Sequence, residues 1–379
     1  MLNLIKELIS LWMFYVKTPK EQKELVFYAE HDGYYPNYEG LINELTTAGI
    51  YLCYITSDLN DKIFTNDNQH IHKFYVNKFL PFFMGVVNCK VFVMTLTELD
   101  VFHLKRSINP VHYIYLFHSM VSTHMMYSAK AFDNYDEIFC VGPYHIEEIR
   151  KREAMYGLPA KKLQETGYYR LERIYKGFKE FSGKLPVINT KTILIAPSWG
   201  DDNLLKSCGE QLIELLIQAN YRVIVRPHPE IMRRDPSLIR GFEIKFAGHD
   251  NFILEKTVFS DQSLFEADVL ITDCSGVAIE YAFGTERPVI FIDVPIKINN
   301  PNYGELGIMP LELSLRDKIG IIIERERINE INLIVQSLLL KKESYLNIIR
   351  ELRGEVVYSF GASTKISVED VKKAILLKH

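Results

Sequence analysis

The stretch RVIVRPHPE, residues 222–230, sets an arginine and a histidine on either side of a proline at the end of an apolar run. Pro227 and Pro229 fix their own φ and push Arg226 and His228 towards extended backbone, so a guanidinium and an imidazole sit on a stiff turn. A guanidinium offers a forked donor to phosphate oxygens, and an imidazole can donate to a leaving phosphate or take a proton near neutrality. The plain alternative is a surface turn with two incidental polar side chains. Arg and His flanking a proline at a strand end favour an anion clamp.

Three further apolar runs end on reactive side chains. YIYLFHSM carries His118 past its end, LIAPSWG carries Ser198 and Trp199, and LITDCSG carries Asp273, Ser275 and Gly276 into a stretch with helical spacing. Ser275 can cap that helix, while its backbone N–H and that of Gly276 point to any anion at the positive end of the dipole. A serine cap alone is commonplace. An isolated His118 is more often a satisfied buried imidazole than a base, because a base needs an acceptor hydroxyl within reach. Metal chemistry is poorly supported: His70, His72, Asp133 and Asp136 lack partners at informative spacing, and no D-x-D ends a strand. The chain also has no G-x-S-x-G, Walker or G-x-G-x-x-G run, which argues against hydrolase, NTPase and dinucleotide chemistry.

These residues need a scaffold that gathers strand ends. Short apolar runs alternate with helix-like stretches from residue 25 onward, the pattern of βα units and a largely parallel sheet. Strands are expected at residues 25–29, 50–55, 90–94, 113–117 and 137–141, and again at 192–196, 222–225, 242–246, 269–272 and 288–292. Helices are expected at 38–47 and 143–156, with three more between 329 and 378. With 379 residues, and the polar stretch FSGKLPVINTK in the middle, two doubly wound α/β domains follow, at 1–185 and 186–379. In such sheets ligands lie beyond the carboxyl ends of the strands, where the four reactive stretches fall.

A net charge of −4 and the lack of basic nucleic-acid motifs argue against a nucleic-acid partner. Five dispersed cysteines without C-x-x-C spacing fit reduced thiols and a cytoplasmic location. The opening MLNLIKELISLWMFYVK is short of the ~20 apolar residues that span a bilayer. Leu4, Leu8, Leu11 and Trp12 recur at helical spacing, which suits a helix docked on the protein's own core or one lying on the inner face of a membrane with Lys6 and Lys17 at the headgroups. Core docking is the commoner fate. The Arg150–Arg152 and Arg233–Arg234 clusters read as solvated faces.

In order and spacing, the motifs over roughly residues 110–365 resemble those of the CDP-glycerol glycerophosphotransferase family, teichoic-acid and capsule enzymes with the two-domain GT-B fold. His118-Ser119 resembles the family's His-Gly, ETGYYRLERI its T-G-Y-P-R, and APSWG its P-T-W-R. RPHP matches outright, ITDCSGVAIEYAFGTERPVIF resembles T-D-Y-S-S-x-x-x-D with its following R-P strand, and FGASTKI at 360–366 resembles the late D-G-x-A-S-x-R-I. The resemblance implies two Rossmann-like domains facing each other across a cleft, the first on the acceptor side and the second binding the nucleotide donor. It implies His118 as general base, with Arg226 and His228 neutralising a donor diphosphate and Ser275 and Gly276 holding its phosphates. Asp273 would orient the loop, and Ser198, Arg170 and Glu280 complete the matched set. The donor would be a CDP-activated glycerol or ribitol phosphate, the acceptor a glycan or lipid-linked saccharide, and the leaving group CMP. No cofactor or protein-held metal is implied, since positioning and charge neutralisation can carry phosphoryl transfer.

Departures from the pattern fall near the donor. Gly276 stands for a second serine, Cys274 for tyrosine, Glu280 for aspartate, Gly200 for the arginine after the tryptophan, and Tyr169 for proline. The competing readings are a GT-B enzyme acting on a nucleotide sugar, such as a UDP-GlcNAc 2-epimerase-like protein, and a nucleotide-binding protein without chemistry.

Overall fold

The computed structural model describes residues 2–182, 190–257 and 260–376, so the division expected at 185/186 lies outside the described residues. The chain forms two compact units. One comprises Met1–His118, Tyr127–Arg170 and Val356–His379, and the other Ser119–Met126 and Leu171–Glu355. This partition differs from a single cut. The closing helix Ser363–Leu376, expected with the donor half, buries Val368, Val371 and Ala374 in the first unit's core beside Leu41 and Leu45. Its Asp370 also pairs with Lys162 of that unit.

The first unit's sheet has seven strands: β1 (Leu25–Ala29), β2 (Leu52–Thr56), β3 (Ile71–Tyr75), β4 (Val91–Met94), β5 (His112–Leu116), β6 (Glu137–Cys140) and β7 (Lys162–Glu165). They run parallel in the order β3-β2-β1-β4-β5-β6-β7. Central strands of a parallel sheet are covered on both faces and therefore read as unbroken apolar runs. The sequence shows just that at β1, where LVFYA is buried throughout. The two strands that the pattern missed, β3 (IHKFY) and β7 (KLQE), lie at the edges, where polar side chains reach solvent.

The second unit has six parallel strands: β8 (Thr192–Ile195), β9 (Arg222–Val225), β10 (Phe252–Leu254), β11 (Val269–Thr272), β12 (Val289–Asp293) and β13 (Gly320–Glu324). Their order is β10-β9-β8-β11-β12-β13. The strand expected at 242–246 is instead the end of a helix, Pro236–Phe246. Pro236 suits its first turn, and Ile239, Phe242 and Phe246 bury one helical stripe. The strand lies further along, at β10. In both sheets the order reverses beside the first strand, between β1 and β4 and between β8 and β11, which is the switch point where doubly wound sheets bind ligands.

The N-terminal helix Leu2–Trp12 docks by its polar stripe. Buried Glu7 accepts the backbone N–H groups of Asn77 (2.6 Å) and Phe79 (2.7 Å), and Ser10 Oγ accepts that of Tyr75 (3.2 Å). Leu11 and, in the following turn, Phe14 are buried as well. Ile5, Leu8, Ile9, Trp12, Met13 and Val16 remain exposed, Val16 to 64%. The two readings of this segment are therefore not exclusive: the helix is docked, yet a broad apolar face points outward. No helix among the described residues is long and apolar enough to cross a membrane.

Candidate functional site

β8 and β11 are hydrogen-bonded neighbours at the switch point, and the loops that leave them are tied together. Thr272 Oγ1 donates to Ala196 O (2.6 Å). The buried Asp273 carboxylate accepts Ser198 N–H at Oδ1 (2.7 Å) and Leu204 N–H at Oδ2 (3.2 Å). Both oxygens are spent on backbone, so Asp273 shapes the loop that carries Ser198 and Trp199. Ser275 has the extended backbone of an N-cap (φ −135°, ψ 143°), but its hydroxyl makes no capping bond, contrary to the sequence expectation. The amides that open the helix Gly276–Thr285 are thus not covered by that side chain. Glu280 is buried on the second turn of the same helix.

Gly276 is required by its neighbours. A Cβ there would stand 2.2 Å from Ser119 Oγ and 3.1 Å from Val121 Cγ1. The segment Ser119–Met126, which follows His118, belongs to the second unit and is pinned within it. Ser122 donates to Glu312 from both N–H (2.8 Å) and Oγ (2.7 Å), and Asn300 Nδ2 donates to His124 O (2.8 Å). Ser119 itself makes no hydrogen bond within the described residues, and its hydroxyl stands against Gly276, the first residue of the helix.

From β9, Arg226 donates its N–H to Ile195 O (2.9 Å) and is buried, with Nη1 at 3.3 Å from Ser263 Oγ. His228 has the extended backbone that the prolines dictate (φ −60°, ψ 142°), and its Nδ1 accepts Glu230 N–H at 3.1 Å. A neutral ring that accepts at Nδ1 carries its proton on Nε2. His228 lies 6.2 Å from the Trp199 ring, and the same indole is covered by Arg234 at 4.4 Å and by Lys297 Nζ at 3.2 Å from its centroid. Arg234 is therefore more than a solvated charge. With Arg233 it binds Glu230, and those bonds, led by Arg233, hold the Glu230 carboxyl down to about 2.

In the first unit, His118 follows β5. Its ring stands edge-on to Tyr34 at 5.2 Å, and Tyr34 packs on His31, which follows β1, at 4.7 Å. Nδ1 of His118 is buried and makes no hydrogen bond. Burial, then the positive Arg170 and His31, push the imidazole down to about 4, so it is neutral at ordinary pH. Arg170 lies in the first turn of the helix Tyr169–Ser182, which begins directly after the T-G-Y segment. That segment packs against the late motif: Ser359 Oγ donates to Glu165 O (3.0 Å), and a Cβ on Gly167 would meet Tyr358 O at 2.1 Å and Ser363 Cβ at 3.5 Å. The two motifs thus brace the closing helix of the first unit.

The structure gathers Ser198, Arg226, His228, Asp273, Ser275, Gly276 and Glu280 in the second unit, and His118 with Arg170 in the first. Sequence reading passed over Lys297 and Glu312, because neither follows a strand end with a motif around it. Among the described residues no group of three His, Cys, Asp or Glu side chains could hold a metal ion.

Residues 10–297 match the family described as CDP-glycerol:poly(glycerophosphate) glycerophosphotransferase. The match takes in most of the first 110 residues, where motifs are lacking, and stops before FGASTKI. No curated protein matches the chain by sequence. Among solved structures, the wall teichoic acid polymerase TagF is similar with a TM-score of 0.63 at 15% identity, over 98% of this chain and 97% of the other. A second TagF structure, with CDPG, gives 0.60 at 15% identity over 100% and 99%. The UDP-GlcNAc 2-epimerase of Neisseria meningitidis bound to UDP-GlcNAc gives 0.58 at 14% identity over 92% and 99%. At these identities the likeness carries the fold, an α/β architecture of two Rossmann-like units of GT-B type.

Proposed function

The chain belongs to the CDP-glycerol:poly(glycerophosphate) glycerophosphotransferase family, and from that premise we propose that it moves a polyol phosphate from a CDP-activated donor to a hydroxyl of a cell-surface glycan or lipid-linked saccharide, releasing CMP. The family makes the chain a CDP-glycerol glycerophosphotransferase-like enzyme; the alcohol, glycerol or ribitol, and the acceptor are the finer part of the proposal. The observation that carries it is the second unit's switch point, where Asp273 ties two loops while Ser275 leaves its helix uncapped.

In this reading the donor's diphosphate lies against the amides of Ser275 and Gly276, with Arg226 neutralising its charge and the Nε2–H of His228 donating to it. The acceptor oxygen attacks the phosphorus that bears the polyol. The bond from that phosphorus to the bridging oxygen breaks, and CMP leaves with the electron pair. His118 takes the hydroxyl proton and returns it to water. An imidazole held down to about 4 is a weak base but is always in its accepting form near neutrality. Phosphoryl transfer through a loose transition state asks little of its base until late in the step.

The exposed apolar face of Leu2–Trp12, with Lys17 at 4.9 Å over the Trp12 ring, supports a peripheral seat on the inner membrane surface, where a lipid-linked acceptor would be reached. The activity is tested by incubating the purified chain and a saccharide acceptor with CDP-glycerol, CDP-ribitol and UDP-sugars, following CMP release and product mass. CMP release should fall 10²-fold or more in both His118→Ala and His228→Ala. Consumption of UDP-sugars alone, or full turnover in both variants, contradicts the proposal.

A further inference from the structure

Lys297 lies beyond β12, in the stretch VPIKINNPN. Its stem runs beside Gly200, where an added Cβ would stand 3.7 Å from Lys297 Cβ and Cγ. Gly200 has φ +146°, a conformation that L side chains rarely adopt, so this loop does not accept an arginine at position 200 without strain. The Lys297 ammonium sits on the Trp199 ring that also carries the Arg234 guanidinium. Two cations therefore share one indole. Of the charged groups that act on Lys297, Arg234 opposes its protonation and Glu230 favours it, both on the helix Pro229–Arg234, whose N-cap His228 lies near the same indole. Glu230 is already bound by Arg233 and Arg234, and Lys297 makes no ion pair within the described residues. Burial and the neighbouring guanidinium push its ammonium down to about 8. A desolvated lysine pressed towards a second cation, without a carboxylate of its own, is stabilised by an arriving anion.

We propose that Lys297 is a ligand of the donor's diphosphate: with Arg234 on the shared indole it binds a phosphate oxygen, supplying from the loop after β12 the positive charge that position 200 lacks. The inference rests on the donor reading above. It differs from a packing role in one measurable respect. An anion at Nζ raises the ammonium's pKa, so binding above pH 8 must draw a proton from solvent.

The test is titration calorimetry of CDP-glycerol, whose diphosphate has no group titrating near pH 8, into the full chain without acceptor, in buffers of different ionisation enthalpy. At pH 8.5 the wild type should take up on the order of half a proton per ligand, against little at pH 7. Lys297→Met, which keeps a stem on Trp199, should bind about tenfold more weakly with no uptake; Lys297→Arg should restore affinity, again without uptake. Unchanged affinity in Lys297→Met, or uptake that persists in it, overturns the assignment and leaves the donor reading standing. Proton uptake with UDP-N-acetylglucosamine but no binding of CDP-glycerol would sink the donor reading and keep Lys297 as a diphosphate ligand.

Discussion

The contact between Ser119 and Gly276 can be reversed by mutation, and the reversal tests whether one hydroxyl serves the donor from either place. In the resemblance the residue after the histidine is glycine and position 276 is serine; here the two are exchanged. In Gly276→Ser the new Cβ would meet Ser119 Oγ at 2.2 Å and Val121 Cγ1 at 3.1 Å. The first approach is more than an ångström inside contact and forces the serine or the loop to move. The second needs only a few tenths of an ångström. Overpacking of this kind costs about 1–3 kcal/mol. Ser119→Gly removes the worse obstacle, so the double variant should regain most of that loss, with a coupling energy of about 1–2 kcal/mol in denaturant unfolding. Catalysis gives a second reading. A hydroxyl bonded to a charged phosphate contributes about 1.5–3 kcal/mol, so Ser119→Gly alone should raise the donor KM by roughly tenfold or more, and the double variant should recover it. Additive stabilities, with coupling below about 0.5 kcal/mol, would refute the steric argument. A donor KM unmoved by Ser119→Gly would refute the shared hydroxyl.

Three further outcomes follow from individual side chains. Because His118 is held down to about 4, kcat should show no acid limb near pH 6.5 from this group; a limb centred there that vanishes in His118→Ala contradicts the assignment. The sign for stability runs the same way: below pH 6.5 the unfolded chain protonates this histidine first, so the fold loses stability as pH falls, and His118→Asn should flatten the drop in Tm between pH 7 and 5. On the N-terminal helix, Ile5→Glu with Ile9→Glu should abolish co-sedimentation with anionic liposomes while leaving Tm and turnover of a soluble acceptor unchanged, since both side chains are about half exposed; unaltered partitioning rejects the membrane seat.

What could be read from the chain was local, and what could not was relational. Strand ends announce themselves because an apolar run must stop where its loop begins, and RPHP, APSWG and DCSG are each a run and its stop in one stretch. For the same reason the central strands β1, β8 and β11 were legible, whereas β3, β7, β10 and β13, all at sheet edges, were not. Residues 242–246 misled because GFEIKF alternates like a strand; the proline at 236 and a buried partner at Ile239 make it helical, and the partner lies outside the run. The site divides along the same line. Gly200 and Gly276 read as losses of a charge and a hydroxyl when each position is judged alone. Lys297 lies 97 residues from Gly200 and Ser119 lies 157 from Gly276, so no local spacing connects them. Once folded, both glycines are vacated positions beside which another segment sets a side chain of the missing type. Substitutions near a donor phosphate are then poor evidence about the donor's alcohol until the neighbours of the vacated Cβ are known, because a group's chemistry can be kept while its place in the chain is moved.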